Sequence, residues 1–356
     1  MSVVVCNYNG ERYLGDLLRS VAAQTVAPAE ILVVDNRSTD GSVALLRRDW
    51  PAVRVVEMER NAGPCPARNR GMEEARHGLV LALDCDLILE PDCLEKCLCA
   101  LEADPGLAAV EPRAVDEADR ALVQYDGAWF HYVGLLCLRN FYVPAQQANG
   151  SGVVPVDAFV SLALLARREK LLEAGGYDPA FFILFEDSDL SYRLRSAGER
   201  IACIEDALVV HRGGTAGTSF RQGLYPARRV FLHSRNRWLF LVKSYQKRTL
   251  LRGLPGLLLY ELVAIAFACA KLAPHAYVHG KLSFLWHLPG ALAARRLTRR
   301  RRRVPDRELV RGGPLTLWPP LTAGPVAATF GRVLDALLRG WWRLLGGVSP
   351  PQEHLQ

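Results

Sequence analysis

The 356-residue sequence lacks any cysteine pattern that would stabilise a small secreted fold or bind zinc. Its nine cysteines are an odd number, and Cys93, Cys97 and Cys99 have neither CxxC spacing nor a histidine nearby at zinc-site spacing. We therefore expect buried, reduced thiols in a cytosolic protein. We also expect no signal peptide, because the first residues already predict a core strand.

The sequence also lacks an uncharged apolar run of the roughly 20 residues that a membrane-spanning helix needs. Its most apolar piece, 254–270, contains Pro255, Gly256 and Glu261. We interpret this piece as a helix lying in the membrane interface, with a true span as the alternative.

Acidic residues are scarce in the C-terminal part of the chain. From residue 218 onward there are 5 acids and 23 bases, whereas residues 1–217 hold 32 acids and 21 bases. The C-terminal bases flank stretches rich in Leu and Trp, and this pattern favours an anionic membrane surface over nucleic acid as the partner. The basic run at 299–303 would face lipid headgroups or form a solvated linker, and a further amphipathic helix is predicted over 330–345.

The stretch 79–86 is an apolar run that ends in two acids, Asp84 and Asp86. Such a run predicts a buried parallel strand, and open α/β sheets bind ligands at the carboxyl ends of their strands. Two carboxylates one residue apart are suitable ligands for Mg²⁺ or Mn²⁺, which keep other positions for water and substrate phosphates. Taken alone, the motif is more often a strand that turns into a helix than a metal site, so other segments must decide.

Earlier segments repeat the pattern of a strand followed by polar residues. Strands are predicted over 2–6, 30–34 and 53–57, with helices between them, and the first two strands run into the polar segments 7–10 and 35–42. In a doubly wound sheet these strand ends lie side by side. An acid after each of two buried strands, Asp35 and Asp84, favours a nucleotide site.

Four motifs together resemble a known family. They are SVVVCNYNG at 2–10, VVDNRSTDGS at 33–42, NAG with ARN at 61–63 and 67–69, and LDCD at 83–86. In this order and spacing they resemble the family 2 inverting glycosyltransferases over residues 2–217. The resemblance implies a GT-A fold, an α/β Rossmann-like mixed sheet flanked by helices, and a nucleotide-diphosphate sugar as the donor.

The resemblance also implies roles for the matching residues. The predicted metal ligands, for Mn²⁺ or Mg²⁺, are Asp84, Asp86 and His211, although a lone histidine after an apolar run is more often structural. The residues expected to bind or lie near the nucleotide sugar are Cys6, Tyr8, Asp35, Asn36, Asn61, Arg68, Asn69 and Asp84.

An acidic cluster follows the aromatic run at 181–185. Acids at a helix start are favoured by the helix dipole, which would explain the cluster without catalysis. Burial against Phe182 and Phe185 would instead raise a carboxyl pKa towards the range useful for a base. The resemblance implies a catalytic base at Asp187, with Glu186 as the second candidate. The aromatic-rich stretch 125–142 could contact a sugar acceptor or form ordinary core.

The sequence thus predicts a catalytic domain over 1–217, a basic amphipathic membrane-associated helical region over 218–348, and a disordered tail over 349–356. The predicted function is transfer of a sugar, with rhamnose as the first candidate, to a hydroxyl of a glycan or polyprenyl-linked acceptor. The predicted place is the cytoplasmic face of the cell membrane, in cell-surface polysaccharide synthesis.

Two alternative functions are weaker. A sugar nucleotidyltransferase predicts a Gly-rich basic loop after the first strand, which residues 7–11 do not provide. A non-catalytic membrane-binding module of the same fold would not need Asp84, Asp86 and Asp187 together.

Overall fold

The computed structural model describes residues 1–148, 152–213, 225–317 and 323–348. Its strands are β1 Ser2–Asn7, β2 Glu30–Asp35, β3 Arg54–Glu57, β4 Leu79–Asp84, β5 Leu87–Leu89, β6 Leu107–Asp116, β7 Val123–Tyr125, β8 Ala128–His131, β9 Leu135–Leu138, β10 Val153–Val156, β11 Ala163–Arg167, β12 Arg200–His211 and β13 Val310–Arg311. Its helices are α1 Glu11–Ala22, α2 Ser42–Asp49, α3 Pro64–Glu74, α4 Cys93–Ala103, α5 Arg168–Glu173, α6 Glu186–Ser196, α7 Ala227–Ser244, α8 Lys247–Ala270, α9 Pro274–Arg301, α10 Asp306–Leu309 and α11 Pro325–Leu344.

The chain divides into two compact units. Unit 1 contains residues 1–127, 140–194 and 199–213, and unit 2 contains 128–139, 195–198 and the described residues from 225 onward. The domain boundary predicted at residue 217 lies outside the described residues, as does the predicted disordered tail. Sequence composition does not predict that residues 128–139 belong to unit 2, because this short aromatic segment resembles the core strands around it.

Unit 1 is built on a mixed sheet of ten strands. The main path runs β10-β12-β6-β11-β4-β1-β2-β3, while β5 pairs with β12 and β7 pairs with β6. The strands β4, β1, β2 and β3 are parallel, whereas β11 lies antiparallel between β4 and β6. Val4 and its neighbours in β1 are buried on both faces, as expected of parallel strands covered by helices.

Two strand predictions differ from the structure. The apolar run 156–166 was expected to form one strand, but β10 ends at Val156 and β11 begins at Ala163. The runs 201–204 and 207–210 were expected to be separate strands, but both belong to β12, whose register with β6 shifts between Ile204 and Leu208. Apolar composition alone does not locate such breaks, because several of the intervening residues, such as Ala158 and Phe159, are apolar and buried like those of the strands.

Helices α1 and α4 pack apolar faces on one side of the sheet, and α3 packs closely on the other. Gly71 in α3 allows this approach, because a Cβ atom there would lie 2.2 Å from Cγ1 of Val4. All nine cysteines lie among the described residues and are free thiols. Five are buried, and Cys99 and Cys269 are exposed.

Unit 2 combines the small sheet β13-β8-β9 with the helices α7 to α11. A polar cluster joins three of these helices at Glu261 of α8, which accepts hydrogen bonds from Trp238 and Tyr277 and pairs with Lys281. Helix α8 is also the one helix among the described residues that is long and apolar enough to cross a membrane, judged by length and composition. The helix predicted over 330–345 is α11.

Candidate active site

The carboxyl ends of the central parallel strands meet at one edge of the unit 1 sheet. Asn7 of β1 lies in register with Asp35 of β2, and Cys6 lies in register with Asp84 of β4. The Asn7 amide donates a 2.7 Å hydrogen bond to Oδ1 of Asp35, and the backbone N–H of Ser38 donates to Oδ2 of Asp35. The strand register therefore brings together polar residues that are far apart in the sequence.

The loop after β2 is held against the loop before α3. Asn36 donates to the carbonyl of Gly63 and accepts from the N–H of Ala62, and Asn61 accepts from the N–H of Gly63. Tyr8 is exposed beside this edge. Burial raises the pKa of Cys6 to about 12, so its thiol stays protonated and can contact a ligand only as a neutral group.

Arg68 is the buried centre of the site. Its guanidinium donates a 2.7 Å hydrogen bond to Asp84 and a 2.9 Å bond to the carbonyl of Ser161. The same group lies 3.4 Å from Glu186 Oε1 and 4.0 Å from Asp187 Oδ1. One cation on α3 thus links the acid at the end of β4 to the two acids at the start of α6.

The two acids of α6 have altered proton affinities. Burial raises the pKa of Glu186 to about 8, and the charge of Asp187 adds to the rise while Arg68 opposes it. Burial also raises the pKa of Asp187, against Arg68 and hydrogen bonds from Ser161. The side chain of Asp187 is 19% exposed and that of Glu186 only 6%, so a ligand can reach Asp187 more readily.

Both acids also hold a buried oxygen without a hydrogen-bond partner among the described residues, namely Oε2 of Glu186 and Oδ1 of Asp187. Just before them, the backbone of Phe182, Leu184 and Phe185 adopts positive φ angles of 62°, 69° and 72°. Bulky residues rarely adopt this conformation, and such strain is concentrated at ligand sites. The strained backbone of this segment therefore orients the side chains of Glu186 and Asp187, and the strain costs conformational free energy.

Asp86 and His211 lie close together and are both of the residue types that bind metal ions. His211 Nε2 lies 3.4 Å from Asp86 Oδ2, and its Nδ1 lies 2.8 Å from Oε1 of Gln124. Gln124 in turn directs its amide nitrogen at Oδ2 of Asp116, at 3.3 Å. A carboxylate accepts hydrogen bonds, so the Gln124 oxygen faces the imidazole and His211 Nδ1 must donate.

With Nδ1 donating to Gln124, the other ring nitrogen of His211, Nε2, faces the Asp86 carboxylate. A proton on Nε2 or a metal cation between the two atoms would satisfy both of them, and a hydrogen-bonded outer residue is the usual support of a metal-binding histidine. The backbone of Gly213 lies close to Asp86, because a Cβ atom on this glycine would be 2.6 Å from Oδ2 of Asp86. The chemistry of this pair fits a divalent metal.

A three-ligand protein site is not formed: within the described ranges, no three His, Cys, Asp or Glu side chains are grouped as metal ligands. Asp84, also predicted as a ligand, accepts a hydrogen bond from Arg68 through Oδ1. A pair of protein ligands suits Mg²⁺ or Mn²⁺, which commonly complete their coordination with water and substrate phosphates.

Sequence reasoning missed four residues of this site. Ser161, Tyr177, Gln124 and Asp116 lie on segments whose apolar or loop-like composition gave no signal. The Tyr177 and Ser161 hydroxyls are 2.8 Å apart, and the Arg68 guanidinium lies 5.2 Å from the centre of the Tyr177 ring. Asn69, predicted near the nucleotide, bonds the backbone N–H and C=O of Tyr177 and so fixes this tyrosine.

The aromatic stretch 125–142, for which contact with a sugar acceptor was one prediction, is divided between the two units. Trp129 and Phe130 are buried in unit 2, whereas Tyr125, Phe141 and Tyr142 are half-buried in unit 1. The Tyr142 hydroxyl lies 3.4 Å from Oδ2 of Asp116. Because Asp116 bonds Gln124, which bonds His211, Tyr142 lies beside the residues that support this histidine.

Comparison with known proteins agrees with this geometry. The profile of Glycosyl transferase family 2 matches residues 2–154. The chain carries a family 2 glycosyltransferase domain. It is 26% identical over 230 residues to the amylovoran biosynthesis glycosyltransferase AmsE of Erwinia amylovora, which covers 62% of this chain and 79% of AmsE. It is 25% identical over 265 residues to the N-acetylglucosaminyl-diphospho-decaprenol L-rhamnosyltransferase of Mycobacterium tuberculosis, which covers 69% of this chain and 85% of the relative.

Solved structures establish the fold of this glycosyltransferase. The mannosyltransferase PcManGT from Pyrobaculum calidifontis, in complex with GDP-Man and Mn²⁺, matches 97% of this chain and 87% of its own with a TM-score of 0.50 and 18% identity. GalNAc-T7 with UDP, GalNAc and Mn²⁺ matches 68% of this chain and half of its own with a TM-score of 0.51 and 19% identity. The family and the GT-A fold predicted from the motifs are confirmed.

The Arg68 network makes a prediction about stability. We expect Arg68→Gln to lower the free energy of unfolding by about 3–5 kcal/mol, because it leaves buried acids without their cation. Arg70→Gln on the same helix is the matched control, since Arg70 is half-exposed and its ion pair is with Glu74, one turn along the helix. Its effect should stay within about 0.5 kcal/mol. Urea unfolding measures both, and equal effects would contradict the assigned network.

Proposed function

We propose that this glycosyltransferase transfers a sugar from a nucleotide-diphosphate donor to a hydroxyl of a glycan or polyprenyl-linked acceptor, with inversion at the anomeric carbon. The observation that carries the proposal is the grouping of Asp84, Glu186 and Asp187 around Arg68, at the strand edge where nucleotides bind in open α/β sheets. The loops fixed by Asp35, Asn36 and Asn61 would hold the base and ribose, with Cys6 and Tyr8 beside them.

Asp187 is the proposed base. Its raised pKa and partial exposure support acceptance of a proton from a bound hydroxyl. As the acceptor oxygen attacks the anomeric carbon, its proton passes to Asp187 and the diphosphate leaves from the opposite face. Ser161 positions the carboxylate through its hydrogen bonds. Glu186 is more deeply buried and is the second candidate.

Asp86 and His211 would hold the divalent metal, Mn²⁺ or Mg²⁺, with Asp84 and Arg68 beside it. A bound ion would offset the negative charge of the diphosphate. The two solved structures with GT-A folds were crystallised with Mn²⁺, which supports a metal of this class without selecting it.

The relatives support a polymer-synthesis role. One acts, by its name, in amylovoran biosynthesis and another on a diphospho-decaprenol acceptor, so rhamnose from a dTDP donor is the first sugar to test. The exposed leucines of α8 and the bases of unit 2 support contact with the anionic cytoplasmic face of the membrane.

The direct test is transfer from a panel of UDP-, GDP- and dTDP-sugars to a polyprenyl-diphosphate-linked acceptor, with and without Mn²⁺. We expect Asp187→Asn to lower transfer by about 10²–10⁴-fold, because asparagine cannot accept the proton. Asp178→Asn is the matched control, since asparagine can still accept the 3.0 Å hydrogen bond from Ala180. A larger loss in Glu186→Gln than in Asp187→Asn would reassign the base to Glu186.

The raised carboxyl pKa values predict a pH dependence. A base works only when unprotonated, so kcat/KM should fall as the pH decreases through the raised pKa of Asp187. The midpoint should lie above the ordinary aspartate value of about 3.9. A profile whose midpoint lies at or below about 3.9, with chemistry rate-limiting, would contradict this assignment.

The hydrogen bond from His211 to Gln124 leads to a prediction about the affinity for Mn²⁺. We expect Gln124→Ala to weaken Mn²⁺ binding by about 10–100-fold, because the imidazole loses the acceptor that fixes its tautomer. Gln146→Ala, at an exposed position nearby, should leave Mn²⁺ affinity unchanged. Electron paramagnetic resonance titration with Mn²⁺ and a nucleoside diphosphate measures both, and equal affinities would refute the support role of Gln124.

A further inference from the structure

Unit 2 holds a cavity of about 680 Å³ formed by the start of α8, the end of α9, α10 and the end of α11. Seven basic side chains line it, against a single acid, Asp306. Asp306 is buried and already used: its carboxylate bonds Arg302 at 2.5 Å and accepts from the backbone N–H of Gln246 at 2.7 Å. The cavity therefore keeps a strong positive charge.

Four of the bases, Lys247, Arg248, Arg252 and Arg299, are exposed and form no ion pair with any described residue. Like charges held together repel each other, and an anion with more than one charge would relieve that repulsion. Guanidinium groups bind phosphate oxygens through paired hydrogen bonds. A phosphomonoester or a diphosphate therefore matches this cavity better than a phosphodiester, which carries one charge.

The backbone adds to this preference. Lys247, Arg248 and Thr249 are the first three residues of the 24-residue helix α8, and all three line the cavity. The N–H groups in the first turn of a helix have no partner within the helix, and they favour anions.

An exposed apolar stripe begins beside the cavity on the same helix. Its members are Leu251, Leu254, Leu258, Leu262 and Ile265, each 40% exposed or more. Their spacing of three or four residues puts them on one face of α8, and at about 1.5 Å per residue the stripe is about 21 Å long. Arg248 precedes Leu251 by three residues and so continues the same face.

We propose that this cavity binds the phosphomonoester or diphosphate headgroup of a membrane lipid, whose hydrocarbon lies along the α8 stripe. A soluble phosphate would use the bases but leave the adjoining leucines unexplained, whereas a lipid has a charged end and an apolar end in the same order. This inference rests on the membrane association proposed above, and it names the lipid chemistry that unit 2 selects.

The test uses the full chain with two sets of phosphatidylcholine vesicles of matched surface charge. One set contains a polyprenyl diphosphate and the other contains phosphatidylglycerol. We expect wild type to prefer the diphosphate vesicles in co-sedimentation, and Arg252→Gln/Arg299→Gln to weaken binding to them by about 30-fold, since two bases contribute on the order of 1 kcal/mol each. The control is Arg296→Gln/Arg300→Gln, which removes the same charge from exposed residues of α9 outside the cavity.

Retention of the diphosphate preference in the control pair and its loss in the cavity pair would support the proposal. Equal losses in both pairs, or no preference in wild type, would overturn it in favour of diffuse charge. Titration with inorganic pyrophosphate in EDTA forms a separate arm: cavity-dependent binding there without any vesicle preference would assign a soluble phosphate and reject the lipid. Hydrolysis of the nucleotide sugar without acceptor is measured separately and should be the same in wild type and every variant. Its absence in wild type would count against the glycosyltransferase proposal, whereas the vesicle preference needs no turnover and tests the lipid proposal alone.

Discussion

The site of unit 1 depends on one buried cation. Arg68 is 5% exposed, and burial of a guanidinium is costly unless anions and carbonyl groups surround it. The chain meets this requirement with Asp84 from the end of β4, the Ser161 carbonyl from the loop before β11, and Glu186 and Asp187 from α6. Arg68 thereby fixes acids from different elements at one edge of the sheet, and it also limits how far their pKa values rise.

Much of this arrangement could be predicted from the sequence, because it follows from strand ends. Apolar runs that finish in Asp35 and Asp84 predict parallel strands whose carboxyl ends meet, and the register of β1, β2 and β4 agrees. The acidic cluster at the start of α6 was predicted as a place where burial would raise a carboxyl pKa, and the pKa is raised in both Glu186 and Asp187. The roles of these residues in catalysis stay predictions.

The remainder depends on long-range contacts that composition does not encode. Asn69 was expected near the nucleotide, but its amide bonds the backbone of Tyr177, 108 residues away. Gln124 supports His211 from 87 residues away, and nothing in the segment 123–125 distinguishes it from a core strand. The strained turn at Phe182 to Phe185 likewise follows from packing, because its sequence has no glycine to indicate positive φ angles.

The central claim is that a metal ion at Asp86 and His211 and a base at Asp187 belong to one site beside Arg68. The most direct measurement is a crystal structure of the protein with a nucleoside diphosphate and Mn²⁺, with anomalous data collected at the manganese edge. The account predicts one manganese peak between Asp86 Oδ2 and His211 Nε2, in contact with the diphosphate. A manganese peak away from that pair, with the diphosphate bound elsewhere, would contradict it.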